Sequence, residues 1–246
     1  MPDPEPKIVL LAGASGVVGK SALDALLDAP DIARVFAVTR RPLGREHPRL
    51  ANRIVQFDSI ESQLKGISCH VAVCCLGTTI RQAGSQEAFR KVDVDYVLAF
   101  ARTAKAAQAQ RFIVVSSAGA NADSKNFYLR TKGEIEDALA GVGFAALDIL
   151  QPGPLLVLRS QMRPLELAAL VFMPLINPFL RGEREAYRAI SPKTVGTAVV
   201  GALRSGRRGV QRYTYAGIQA LARLKSVRMA PLSDPKASGN TRQRRT

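Results

Sequence analysis

KIVLLA, residues 7–12, is an apolar run that ends at once on the loop GASGVVG, in which Gly13, Gly16 and Gly19 fall three apart. Few short stretches constrain a fold more tightly. A buried strand has to turn sharply into a helix whose first backbone N–H groups and positive dipole end face outward, an arrangement that suits a pyrophosphate. Gly13 permits the turn, Gly16 lets a ligand approach the backbone, and Gly19 lets the helix pack on the strand it has just left. The spacing predicts a strand, a phosphate loop and a helix from about Val17 to Ala29.

The rest of the chain repeats the alternation. RVFAVT (34–39), RIVQF (53–57), HVAVCCLG (70–77), RFIVVSS (111–117) and FAALDIL (144–150) read as strands, with helical patterns between them. One long helix is expected over about 86–107, another over YLRTKGEIEDALA, and a closely packing small-residue helix over TVGTAVVGAL (194–203), followed by a last strand in VQRYTYA. Short β-rich runs separated by amphipathic helices predict an α/β fold, a doubly wound parallel sheet with helices on both faces. A single domain over residues 1–230 is expected, with a small C-terminal substrate-side lobe formed by 151–193.

Within that lobe LELAALVFMPLINPFL is strongly apolar but broken by Pro174 and Pro178. It is expected to line a substrate pocket, then to dock on a second copy as a homodimer, then to rest on a membrane surface, in that order. It is too short and broken to span a bilayer. The start, MPDPEPKIVLL, has acids and prolines where a secretory signal needs a basic end and a long apolar stretch, so the expected compartment is the cytoplasm.

The net charge of +15 looks like a nucleic-acid signal until it is located. From Arg204 onward 11 Lys/Arg face the single Asp234, so +10 of the excess sits at the C-terminal end. SDPKASGNTRQRRT lacks apolar periodicity, and 231–246 is expected to be a disordered tail that solubilises the chain; nucleic acid or an anionic membrane is the less favoured partner. Cys69, Cys74 and Cys75 have no C-x-x-C spacing, and neighbours on a strand point to opposite faces. They read as small buried hydrophobes. With only His47 and His70 beside them, no metal site is expected.

Two features bear on the cofactor. A chain that prefers NAD puts Asp or Glu at the end of the second strand, where it accepts from the ribose 2′-hydroxyl. This chain has TRRP there instead, and the guanidinium groups of Arg40 and Arg41 match a 2′-phosphate, which favours NADP. Asp58, past the third strand, reads equally as an acceptor from an adenine amino group or as an ordinary acid at a helix start.

YLRTK places Tyr128 and Lys132 four apart, on one face of a helix. Carbonyl reduction needs a proton donor at the oxygen as hydride arrives. A lysine beside a tyrosine stabilises the phenolate required for the reverse step. Ser117, with its neighbour Ser116, ends the preceding strand, where a hydroxyl can orient a carbonyl and support its developing charge.

Taken together, GASGVVG, VVSSAGA and YLRTK resemble the short-chain dehydrogenases/reductases. CCLGTT, VDVDYVL and YLRTKGEIE resemble more narrowly the atypical group containing the Tat-interacting oxidoreductase-like NAD(P)-binding proteins, over about residues 7–160. The resemblance implies a Rossmann-type fold with Tyr128 as acid/base, Lys132 as its partner and ribose holder, and Ser117 as the carbonyl-polarising hydroxyl. It implies Gly13, Ser15, Gly16, Val17 and Val18 around the pyrophosphate, Arg40 at the 2′-phosphate, Gly77 and Thr78 beside the nicotinamide ribose, and Pro152 and Gly153 near the carboxamide. Asp93 is a departure, standing where many relatives carry an asparagine that supports a proton-relay water.

The function expected is NADP-dependent reduction of a small or medium carbonyl substrate. Two alternatives use the same residues: an NADP-binding redox-sensing regulator without turnover, and a nucleotide-sugar epimerase, for which the region after residue 150 is short.

Overall fold

The computed structural model describes residues 6–156, 180 and 182–224. Within the substrate-side lobe expected over 151–193, residues 157–179 and 181 lie outside the described residues, as does the basic tail expected over 231–246.

Seven strands form one parallel sheet: β1 (Lys7–Ala12), β2 (Ile32–Thr39), β3 (Leu50–Ile54), β4 (Val71–Cys74), β5 (Arg111–Val115), β6 (Ala146–Leu150) and β7 (Gly209–Tyr213). Their order is β3-β2-β1-β4-β5-β6-β7. The chain builds outward from β1 in one direction, returns to lay β4 on the other side of β1, and builds outward again. This reversal opens a crevice at the carboxyl ends of β1 and β4, the place where open α/β sheets take their ligands.

Eight α-helices accompany the strands among the described residues: α1 (Val17–Leu27), α2 (Ile60–Gln63), α3 (Ile80–Ala83), α4 (Gln86–Arg90), α5 (Tyr96–Ala106), α6 (Phe127–Ala140), α7 (Pro192–Arg204) and α8 (Tyr215–Leu224). Because side chains alternate across a strand, the sheet feeds two cores. Val9, Leu11, Val35, Val73 and Ile113 pack with α1, α7 and α8 on one face. Leu10, Ala12, Ala72, Cys74, Phe112 and Ile149 pack with α5 and α6 on the other. Cys74 and Cys75 accordingly join opposite cores.

The small residues of α7 serve close approach. A Cβ at Gly196 would lie 2.5 Å from the Ser21 carbonyl carbon of α1, and one at Gly201 would lie 1.9 Å from the Leu221 carbonyl oxygen of α8. Backbone therefore packs on backbone at both contacts.

Three sequence expectations shift. The third strand is Leu50–Ile54 rather than 53–57, because Val55 and Phe57 are buried by packing as the chain turns into a short 3-10 segment at Phe57–Ser59. The segment VQRYTYA ends its strand at Tyr213, and Tyr215 already begins α8, whose buried Ile218 and Leu221 follow a helical spacing. The long helix over 86–107 is interrupted: α4 and α5 are separated by a π-helical turn over Lys91–Asp95. Such turns widen a helix locally and often serve a site. This one carries Asp93, which is completely buried.

Candidate functional site

The glycine loop has the geometry its spacing requires. Gly13 has φ +83°, and a Cβ there would lie 2.5 Å from the Cys75 carbonyl group, so neither the conformation nor the space admits a side chain. At Gly19 a Cβ would stand 1.9 Å from the Gly13 carbonyl oxygen, which fixes how closely α1 returns over its own loop. Gly16 is the N-cap of α1 and supplies no side-chain cap. The first N–H groups of α1, from Val17, Val18 and Gly19, therefore meet no capping side chain, as a helix start does when it is to receive an anion.

Beside the loop lies a cavity of about 550 Å³, with Gly13, Ser15, Arg40, Leu76, Gly77 and Thr78 among its lining and Phe57 and Tyr96 along one wall. Arg40 reaches this cavity. Arg41 lies outside its lining, in a turn tied down from β3: Thr39 Oγ1 donates to the Arg41 carbonyl at 2.8 Å, Asn52 Nδ2 donates to Thr39 Oγ1 at 2.7 Å, and Leu43 N–H donates to Asn52 Oδ1 at 3.0 Å. Asn52 thus shapes the turn that presents the arginines. Strand patterning gave no sign of this role, because the partners of Asn52 come from β2 and the loop after it.

Asp58 stays at the surface, where its carboxylate is engaged by Lys91 Nζ at 2.8 Å and by the Tyr96 hydroxyl at 3.0 Å. The Lys91 hydrogen bond, with that of Tyr96, holds its carboxyl below the ordinary aspartate value. Asp58 has these two side-chain partners, and Phe57 rather than Asp58 lines the cavity.

Tyr128 sits in the first turn of α6, which is capped by Asn126 accepting from the Leu129 N–H. Its ring packs on Phe89, with centroids 5.8 Å apart, and is half-buried. One turn on, Lys132 is buried with its Nζ 6.0 Å from the Tyr128 ring centre and 2.6 Å from Asp93 Oδ1. Burial alone would pull the Lys132 pKa down. The opposing charge of Asp93, aided by the Tyr128 side chain, outweighs it and holds the ammonium above the ordinary lysine value.

The chain leaves β5 through Ser116 and Ser117, which part company. Ser116 Oγ turns inward and donates to Glu136 Oε1 at 2.6 Å. Ser117 is half-buried, and among the described residues its Oγ makes a long 3.4 Å contact with the Ala118 carbonyl. Two ties seat this loop. Ala118 N–H donates to the Pro152 carbonyl at 2.9 Å, and the Asn121 N–H donates to the Leu129 carbonyl of α6 at 3.1 Å. Gly133 permits the second contact, since a Cβ there would lie 2.1 Å from the Ala122 nitrogen. Gly153 follows Pro152, and Arg188 closes on it so tightly that a Cβ would meet the Arg188 carbonyl oxygen at 2.4 Å.

Behind the serines, Glu136 gathers Ser116, Gln151 Nε2 (2.9 and 3.0 Å) and Arg212 Nε (3.0 Å). It ties the carboxyl ends of β5, β6 and β7 to α6. Its signal was present in the sequence: Tyr128, Lys132 and Glu136 form a stripe four apart, and an acid on that buried stripe needs partners. Tyr187 is a further residue missed from the sequence. Its hydroxyl would lie 2.9 Å from a Cβ at Gly119, which places it over the loop that carries Ser117.

The arrangement fits a dinucleotide. The uncapped start of α1 can receive phosphates, the cavity runs from there past Gly77 and Thr78, and a Cβ at Gly77 would sit 3.8 Å from Lys132 Nζ.

Comparison with known proteins agrees. Residues 13–152 match the family described as NAD(P)H-binding. Protein HTATIP2 of Rattus norvegicus is 38% identical over 170 residues, 68% of this chain and 70% of that protein. The protein named fmp52, mitochondrial, of Aspergillus fumigatus is 35% identical over 172 residues, covering 67% of this chain and 73% of its own. Among solved structures, the Bordetella bronchiseptica enzyme WbmH in complex with NAD+ superposes with a TM-score of 0.63 at 15% identity, over 88% of this chain and 79% of that one, which shows the shared fold.

Several relatives carry mitochondrial in their names, which overturns the expectation of a purely cytoplasmic protein. The physical reason is that hydropathy tests for secretion and for spanning helices, whereas organelle import is set by a short address that leaves the folded domain unchanged. Among the described residues no helix is long and apolar enough to cross a membrane. With its phosphate loop, its parallel sheet and these relatives, the chain belongs to the NAD(P)H-binding family and has a short-chain dehydrogenase/reductase-like Rossmann fold.

Proposed function

We propose that the protein is an NADP-dependent oxidoreductase that reduces a small or medium carbonyl compound. The observation that carries this reading is the placement of Tyr128 and Lys132 on one face of α6, with the ammonium buried beneath Gly77, a residue that lines the cavity beside the glycine loop. In this reading the bound nicotinamide supplies hydride. The Tyr128 hydroxyl delivers the proton to the carbonyl oxygen, Ser117 Oγ orients that oxygen, and Lys132 holds the ribose and stabilises the phenolate left behind. Gly13, Ser15, Gly16 and the first turn of α1 hold the pyrophosphate, and Pro152 and Gly153 flank the carboxamide. A panel of carbonyl compounds followed by NADPH consumption, with Tyr128→Phe as control, tests it. A protein that binds NADPH but consumes none across the panel would instead support the regulator without turnover. The direct pairing of the Lys132 ammonium with Asp93 favours that second reading, since the lysine already has a partner.

Arg40 is the residue proposed to choose NADP over NAD. Losing one charge-assisted contact to a 2′-phosphate costs about 1.5–3 kcal/mol, or about 10- to 150-fold in affinity. Arg40→Ala is expected to weaken NADPH by that factor and to leave NADH nearly unchanged. Titration of both cofactors into both proteins checks this, and equal affinities for NADPH and NADH in the wild type would sink it.

A further inference from the structure

Asp93 is the carboxylate that reaches the Lys132 ammonium among the described residues, and it is placed with unusual economy. The π-helical turn carries it between two elements of the site. Oδ1 lies 2.6 Å from Lys132 Nζ, while Oδ2 accepts the Thr78 N–H at 2.8 Å. Both charges lie directly under Gly77: a Cβ there would be 3.6 Å from Asp93 Oδ1 and 3.8 Å from Lys132 Nζ. Asp93 is fully buried, and the Lys132 side chain keeps 7% exposure.

We propose that Asp93 is a positioning residue of the cofactor site, a carboxylate clamp that fixes Lys132 against the Gly77–Thr78 loop and cancels its charge. The consequence is a selectivity between redox states. Oxidised nicotinamide carries a positive charge that the reduced ring lacks. A lone buried ammonium beneath the ribose would therefore penalise the oxidised form, because charges interact strongly where water is excluded. The clamp brings the local sum back to zero, so the site holds NADP+ and NADPH on closer terms.

The neighbouring ionisable groups leave that sum to Asp93. Burial pushes the Cys74 thiol, on β4, up to about 12, so it is neutral. Glu136, one turn further along α6, is taken up by Ser116, Gln151 and Arg212. Tyr128 faces Lys132 from its own helix, its ring centre 6.0 Å from the ammonium.

The inference rests on the placement of the nicotinamide ribose over Gly77 proposed above, and its test uses binding rather than turnover. NADP+ and NADPH are titrated at pH 6.5 into wild type, Asp93→Asn, Lys132→Met and the double variant. Asparagine can still accept the Thr78 N–H but carries no charge. The ratio of oxidised to reduced dissociation constants is expected to rise about 3- to 30-fold in Asp93→Asn, the order a unit charge exerts over several ångströms at an effective dielectric of about 20 or more. It should fall by a similar factor in Lys132→Met and return to within about twofold of wild type in the double variant. A purely structural role predicts that each variant weakens both forms in equal proportion, and that result overturns the proposal. Should Asp93→Asn fail to fold, Lys132→Met and the double variant still decide the matter. Ratio shifts without carbonyl turnover would refute the reductase reading and leave the clamp standing.

Discussion

Tyr128→Phe is expected to lower carbonyl-reducing turnover by about 10²–10⁴-fold, the range a positioned acid or base contributes. The effect should fall on kcat, with NADPH affinity little altered, because the hydroxyl proton moves only in the transition state. The substitution keeps the ring, so the contacts with Phe89 and with the face presented to Lys132 survive. Steady-state kinetics on the best substrate of the panel, alongside an NADPH titration, separate the two quantities. A phenylalanine variant as active as wild type would remove Tyr128 from the chemistry and reduce YLRTK to part of a helix surface. Lys132→Met should damage both quantities, because the ammonium is assigned to the ribose as well as to the phenol.

The second large effect lies away from the site. Asp148, in the middle of β6, is completely buried. Its carboxylate pairs with Arg111 at 2.5 Å and accepts from the Tyr213 hydroxyl at 3.1 Å. Burial pushes its carboxyl up and the Arg111 guanidinium opposes that rise. Arg111 in turn donates to the Ala202 carbonyl in the last turn of α7 at 2.7 Å and to the Arg207 carbonyl at 2.5 Å. One ion pair thus joins β5, β6 and β7 to the end of α7. Asp148→Ala would leave the guanidinium without its counter-charge and the tyrosine without its acceptor. The expected cost is about 3–5 kcal/mol, as for other buried pairs broken on one side. For a domain stable by about 5–15 kcal/mol this is a large share. Replacing both partners, as in Asp148→Leu with Arg111→Met, should recover much of the loss, since an apolar pair leaves no orphan charge. Urea unfolding midpoints of the wild type and the two variants check this, and a double variant no more stable than Asp148→Ala would show that packing rather than charge carries the effect.

The second prediction, unlike the first, depends on an interaction between residues distant in sequence. Apolar periodicity assigns Arg111 and Asp148 to their strands. Their pairing depends on β5 and β6 lying side by side, and no local pattern states that order.

The same division runs through the site. Local conformation was legible wherever a residue type answers a local demand. Gly13 takes a positive φ that other residues resist, Gly19 clears its own loop, and Tyr128 and Lys132 share a face because helix geometry puts them there. The doubly wound sheet followed from alternating periods, and the absence of an acid after β2 was visible as plain chemistry. None of these needs knowledge of the rest of the fold.

What only the tertiary structure decided are the interactions whose two ends meet by packing. Ser116 and Ser117 are adjacent hydroxyls just past the end of β5, yet packing aims Ser116 at Glu136 and leaves Ser117 half-buried. Asn52 acts on Arg41 through Thr39, across a strand pairing. Asp58 is drawn to Lys91 and Tyr96. Asp93 stands out in the sequence as a departure from the asparagine of many relatives, but only the π-helical turn places it between Lys132 and Thr78. Periodicity records which face a residue occupies, because burial of apolar surface acts along each element separately. The partner a buried polar group finds depends on how the elements assemble, and its energy is settled there.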